Sequence, residues 1–178
     1  MSLAGFVLSF CFSVPALAQG PSTFCTAKAG LSCGTPAIAF SGASSASATS
    51  GFVISAGPAV SCRAGILLYN ASHTLPGTPF QGGTLCVTPQ GIRRAGPTDS
   101  MGTVGNNCDG VFAIDLNTFA AGLWVVPACD GSPAGIPANN PAAFLSNPSQ
   151  HINCQFWGRD TPASGSFLSD ALQFQIGP

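Results

Sequence analysis

The chain has 178 residues, of which only 6% are charged, against roughly 25% in an ordinary soluble domain. One Lys, four Arg and six Asp, with no Glu, leave a formal net charge of −1; this excludes the basic footprint of a nucleic-acid binder. Gly and Pro supply 22 and 15 residues, and strong helix formers other than Ala are scarce, which argues against a helical bundle.

The first element in chain order is an export signal. Leu3 to Val14 is an apolar run, followed by Pro15 and then Ala16-Leu17-Ala18. Small residues at the first and third places of that triplet suit signal peptidase, so the pattern predicts a signal peptide over residues 1–18 and a single secreted domain over 19–178. No Lys or Arg precedes the apolar run, so the positive end is the α-amino group alone or the true start lies upstream. The run is too short for a stable membrane anchor. No later segment is long and apolar enough to span, and Phe10 is too large to precede a lipidated Cys11.

Short apolar runs then recur between Gly, Pro, Ser and Asn. They predict strands at Phe24–Lys28, Pro36–Phe40, Gly51–Ala56, Gly65–Tyr69, Gly83–Thr88, Val111–Leu116, Gly122–Val126, Asn153–Gly158 and Asp170–Ile176. Period-two alternation in Ala171–Ile176 and Cys154–Arg159 marks half-buried antiparallel strands. Ser41–Ser50 is of low complexity and reads as a loop or the start of a strand. Asn117–Ala121 reads as one helical turn with Asn117 as its N-cap or with Asp115, inside the preceding strand, capping it, and Asp130–Ser149 as a long Pro/Gly-rich surface loop. The pattern specifies an all-β fold, an antiparallel β-sandwich or jelly roll of about nine short strands.

Cys11 leaves with the signal, and Cys25, Cys33, Cys62, Cys86, Cys108, Cys129 and Cys154 remain. In an exported chain these read as disulfides. No CxxC pair occurs, and of the two histidines only His151, before Cys154, is near zinc-ligand spacing, so no metal and no cofactor is expected. Seven is odd, and one thiol is left over. The most local pairings are Cys25–Cys33 and Cys86–Cys108, with Cys62–Cys129 as a longer bridge and Cys154 unpaired. Spacing alone does not fix this connectivity.

Candidate chemistry is sparse. Thr98-Asp99-Ser100-Met101-Gly102 falls short of a GxSxG elbow, and the bases available to Ser100 are His73 and His151. Among Asp99, Asp109, Asp115, Asp130, Asp160 and Asp170 no pair stands out for glycoside hydrolysis, and Asp109, Asp130 and Asp160 sit beside turn residues. Asn107 and Asp109 match part of a calcium loop without its first ligand. Asn70-Ala71-Ser72 fits a glycosylation sequon, and Arg93-Arg94 is a local basic spot that reads as a solvated turn. Gln155, Trp157 and Arg159 share one strand face. An exposed indole beside a guanidinium and an amide makes a sugar platform. The structural alternatives are a Trp157 buried between sheets, or an Arg159 stacked on Trp157 and paired with Asp160 or Asp170.

Several strings resemble a recurrent cysteine-bearing module of large secreted bacterial proteins. They are Phe24-Cys25-Thr26-Ala27-Lys28, Cys33 with Pro36-Ala37-Ile38, Phe80-Gln81-Gly82-Gly83-Thr84-Leu85-Cys86-Val87 with Ile92-Arg93-Arg94, and Cys154-Gln155-Phe156-Trp157-Gly158-Arg159-Asp160 with Leu168-Ser169-Asp170-Ala171-Leu172. The resemblance covers most of residues 19–178 and brings no catalytic residues with it. It implies a Cys just before the final Pro, where this chain has Gly177, and hence an orphaned Cys154. The combined expectation is a secreted, non-catalytic extracellular or cell-surface interaction module, glycan- or matrix-binding, whose partner is a glycan or an extracellular protein. The alternatives are a self-assembling envelope or fibre subunit, homo-oligomeric through open sheet edges and a Cys154 bridge, and a hydrolase using Ser100 or an Asp pair.

Overall fold

The computed structural model describes residues 20–129, 139–163 and 165–178. The signal peptide expected over residues 1–18, and residues 130–138 of the expected Asp130–Ser149 loop, lie outside them. The described chain is all-β. Its ten strands are β1 (Ser22–Phe24), β2 (Ala37–Gly42), β3 (Phe52–Ala59), β4 (Ala64–Asn70), β5 (His73–Phe80), β6 (Gly83–Val87), β7 (Arg93–Asp99), β8 (Gly110–Asp115), β9 (His151–Arg159) and β10 (Ser166–Gln175). A short helix α1 (Leu116–Ala120) and a 3₁₀ turn (Ala143–Ser146) fall between β8 and β9. The strands form a five-stranded sheet in the order β1-β10-β9-β4-β7, a three-stranded sheet β2-β3-β8 and a two-stranded hairpin β5-β6. The pairings within these sheets are antiparallel.

Alternation sends the two faces of the large sheet to different partners. Leu67 and Tyr69 of β4, with Cys154 and Phe156 of β9, join Phe52, Ile54, Phe112 and Ile114 of the three-stranded sheet in the main core. Their neighbours on the opposite face, Ile66, Leu68 and Trp157, pack instead with Phe80, Leu85 and Val87 of the hairpin. The sandwich therefore carries a partial third layer on its outer face.

Phe112 sits at the centre of the main core, 4.9 Å from Phe167 and 6.2 Å from Phe156 between ring centroids. Room for it comes from Gly65 and Gly158, which face each other across β4 and β9. A Cβ on Gly65 would lie 2.5 Å from the Phe112 ring, and one on Gly158 2.6 Å. A bulge in β10 completes the packing. Leu168 pairs with Trp157 and Ala171 with Gln155, so β10 carries one residue more than β9 over this stretch. The extra residue resets the alternation, and Phe167 and Leu172 both reach the core despite their odd separation.

Two expected disulfides are corrected. The bridges are Cys25–Cys86, Cys33–Cys108 and Cys62–Cys129, with Cα–Cα distances of 6.3, 5.2 and 5.1 Å. The expected Cys25–Cys33 and Cys86–Cys108 pairs have exchanged partners. Cys25, just past β1, meets the hairpin at Cys86, and Cys33 meets the loop between β7 and β8 at Cys108. Sequence separations of 61, 75 and 67 residues make each bridge worth about 4 kcal/mol in the chain-entropy description, more than a local loop would give. Cys154 is unpaired and fully buried. It cannot form the expected intermolecular bridge without unfolding, and burial pushes its thiol far above the ordinary range. Its register partner is Leu172, which leaves Gly177 about 16 Å further along an extended chain, beyond disulfide reach.

Other departures have local causes. Strands β5 and β7 add to the predicted set, and Pro76, Pro79 and Pro97 hide them in the sequence pattern. Each strand has a single ladder partner, and such edge positions are where a sheet tolerates proline. The expected strand Gly122–Val126 is instead the exit from α1. Gly122, at φ +78, donates to Phe119 O, and Leu123 donates to Thr118 O, which closes the helix C-terminus. The N-cap of α1 is Asp115, whose carboxylate accepts from Thr118 N at 3.1 Å, and not Asn117. Asn117 is buried, and its side chain bonds Ala43 O, Ser45 N and Ser50 O, which orders the Ser41–Ser50 tract.

Gly158→Ala is expected to destabilise the protein by about 1–3 kcal/mol, because the buried Phe112 ring cannot yield without disturbing its neighbours. Urea denaturation measures it, and an unchanged midpoint would contradict the packing described.

Candidate functional site

The outer face of the large sheet holds the candidate site, and the hairpin defines it. Gln81-Gly82 form the two-residue turn between Phe80 and Gly83, both with positive φ, at +47° and +77°; this matches the twist of a β-hairpin. The turn is tied to the sheet through Gln81 O, which accepts from Lys28 Nζ at 3.0 Å and from Ser166 Oγ at 3.3 Å. Further along, Cys25–Cys86 fastens the hairpin to the edge of the sheet.

Gln155 is the second fastening, and it has no surface. It is fully buried beneath the hairpin. Its Oε1 accepts from Cys86 N at 3.0 Å, and its Nε2 donates to Thr84 O at 3.0 Å and to Ser169 O at 2.6 Å. Ser169 sits in the β10 bulge, where the ladder is broken, and its hydroxyl accepts from Phe156 N at 3.1 Å. The adjacent Asp170 accepts from Ile38 N at 2.6 Å, capping the edge strand β2. Buried polar groups that would otherwise be orphaned by the bulge are thus satisfied. Three carbonyl and amide partners occupy the Gln155 side chain, so it is unavailable to a ligand.

Trp157 is two residues on and half-exposed. Its Nε1 donates to Gln81 Oε1 at 3.2 Å. Beside it opens a cleft in two adjoining lobes. One, of 200 Å³, is lined by Ile66, Leu68, Phe80, Gln81, Arg94 and Trp157. The other, of 240 Å³, shares Leu68, Phe80 and Arg94 and extends to Thr78, Pro89 and Ile92. Together they approach the size of small-ligand sites, with the usual apolar lining and few polar groups. Arg159 lies on the same face but outside the cleft lining, and is exposed. Asp160 accepts from Ser32 N at 3.1 Å and Asp170 from Ile38 N, so neither carboxylate is set against Arg159. A larger cavity of 390 Å³, lined by residues such as Gly20, Ser44 and Pro178, carries no aromatic ring or charged side chain.

Of the residues marked in the sequence, the structure brings Trp157 and Arg94 to one cleft and adds Gln81 and Phe80. The signal for these last two was the Gln81-Gly82-Gly83 turn, masked by Pro79 beside it. Ser100 is fully buried, and its hydroxyl donates to Val60 O at 2.7 Å and accepts from Arg63 N at 2.9 Å. The preceding Asp99 pairs with Ala64 at one end of β4, while His73 contacts Asn153 beside Asn70 at the other. The sequon residue Asn70 is also buried, and its amide donates to Thr88 O and Gln90 O, so it is no free acceptor for a glycan. Among the described residues, no three His, Cys, Asp or Glu cluster as metal ligands. No family model, no curated protein and no solved structure matches this chain.

Asp109, part of the incomplete calcium-loop pattern, is engaged internally. It accepts from Ser61 Oγ, from Thr103 N at 3.0 Å and from Thr103 Oγ1 at 2.7 Å. These bonds, that of Ser61 first, hold its carboxyl down to about 2. A depressed folded value contributes stability that is complete above the unfolded value of about 3.9 and is lost as pH falls toward 2. Asp170 acts with the opposite sign, since burial pushes it up. Comparing Asp109→Asn with the native chain isolates Asp109. The variant is expected to show a flatter fall in thermal midpoint between about pH 5 and pH 2; parallel curves would contradict the assignment.

Proposed function

We propose that this chain is a secreted, non-catalytic interaction module that binds carbohydrate at the outer cleft. The observation that carries the reading is the half-exposed Trp157 indole set in an apolar cleft, with the Arg94 guanidinium at its rim and the Gln81 amide beside it. An indole face covers the apolar face of a pyranose, while guanidinium and amide groups bond its hydroxyls. The first of these roles falls to Trp157, held by its bond to Gln81. The polar roles fall to Gln81 and Arg94, in place of the Gln155 and Arg159 expected from strand alternation.

The setting supports an extracellular location. Three disulfides are formed, as in chains that fold in an oxidising compartment. Among the described residues, no helix is long and apolar enough to cross a membrane. The signal-like first 18 residues point the same way.

Binding of the oxidised protein to a glycan array, beside Trp157→Ala with an unchanged thermal midpoint, tests the proposal. The native chain is expected to bind at least one glycan class, and the variant to lose tenfold or more in affinity, about 1.4 kcal/mol. Binding that survives in Trp157→Ala, or no binding by the native chain, would overturn it.

A further inference from the structure

We infer that the cleft selects an acidic sugar, a pyranose carrying a carboxylate. This rests on the carbohydrate reading above and follows from where the chain's few charges are engaged. Every described carboxylate side chain accepts hydrogen bonds from the chain's own turns and edges. Asp99 accepts from Met101 N, Asp109 from Ser61 and Thr103, Asp115 from Gly51 N and Thr118 N, Asp160 from Ser32 N and Asp170 from Ile38 N.

The arginines divide into two groups. Arg63 bonds Asn106 Oδ1 at 2.7 Å. Arg93 bonds Gly91 O and lies 3.7 Å over the Phe144 ring. These two are held by the fold. Arg94 and Arg159 are exposed, and among the described residues neither has a hydrogen-bond or carboxylate partner. Both stand on the outer face. The register places them on either side of Trp157 along the strands. Arg94 pairs with Leu68, in the row of Gln155, and Arg159 pairs with Ser166, two residues beyond Trp157.

A chain of net charge −1 therefore presents two guanidinium groups around its one cleft-lining indole, with no described carboxylate opposing them. A guanidinium fork matches a planar carboxylate with two parallel hydrogen bonds. An indole beneath and a guanidinium at the rim together fit the two sides of a uronate ring. A neutral sugar offers the guanidinium only uncharged hydroxyl acceptors, which bond it more weakly than a carboxylate does. Because the arginines are exposed, the attraction must weaken as salt screens it.

Calorimetric titration with acidic polysaccharide fragments (galacturonate, mannuronate and glucuronate oligomers), each paired with its carboxyl-reduced counterpart, separates charge from shape. At least one acidic form is expected to bind tenfold or more tightly than its reduced form at low salt. Arg94→Gln, a surface change that leaves the fold intact, is expected to erase the difference, and raised salt to narrow it. Trp157→Ala is expected to remove binding of both forms. Equal binding of acidic and reduced forms, dependent on Trp157, would overturn the acidic selectivity and leave the carbohydrate reading standing, as would binding confined to neutral glycans. A sulfated glycan that binds while every uronate fails would also overturn the carboxylate assignment. The absence of any glycan binding would overturn both.

Discussion

A five-stranded sheet with apolar side chains on both faces must be covered twice, and the structure depends on how the second cover is fastened. The inner face is closed by the three-stranded sheet over a continuous aromatic and aliphatic core. Among the described residues the outer face has only the β5-β6 hairpin, and a two-stranded ribbon has little stability of its own in water. Gln155 makes the fastening. Its side chain bonds two groups of the hairpin strand β6 and one of the β10 bulge, in a buried setting where an unmet donor or acceptor would cost about 1–3 kcal/mol. The Cys25–Cys86 bridge adds a covalent tie nearby. The hairpin is thus clamped at the Gln155 row and stands over open space beside Trp157, and that space is the cleft.

The same economy explains the composition. With so few charged residues, the chain uses its described carboxylates as internal caps; surface ion pairs would be worth little in any case. Asp115 starts α1, Asp109 closes the loop before β8, and Asp170 satisfies an outward-facing amide of the edge strand β2. Three long-range bridges then supply stability that surface charge does not. One ties β1 to the hairpin, and the others join the turns between strands to the loops around β8 and α1. Among the described residues the arrangement leaves two arginines without internal partners, Arg94 in the cleft lining and Arg159 on the same face outside it.

Much of the architecture was legible because period two survives in Cys154–Arg159 and Ala171–Ile176, and because these strands lie at the centre of the large sheet. What was not legible lies at the edges. Prolines hid β5 and β7, and the two local disulfide pairings failed because sequence proximity says nothing about which face a cysteine meets once the strands are stacked. At the site, alternation correctly placed Gln155, Trp157 and Arg159 on one face but could not show that the hairpin covers that face at Gln155 and leaves it open at Trp157. Gly158, by contrast, has a clear physical reason in retrospect: it makes room for Phe112. Gln155 forms the clamp, and Ser169 and Asp170 the bulge, that hold the sandwich and its hairpin together.

The amide of Cys86 reports on this clamp directly, since its hydrogen-bond acceptor is the side chain of Gln155 and not a neighbouring strand. Native-state hydrogen exchange followed by NMR reads it out. The account predicts that the Cys86 amide exchanges as slowly as amides of the central strands β4 and β9, and that Gln155→Ala accelerates Cys86 while leaving those strands slow. Exchange of Cys86 at the rate of an open loop in the native protein would contradict it.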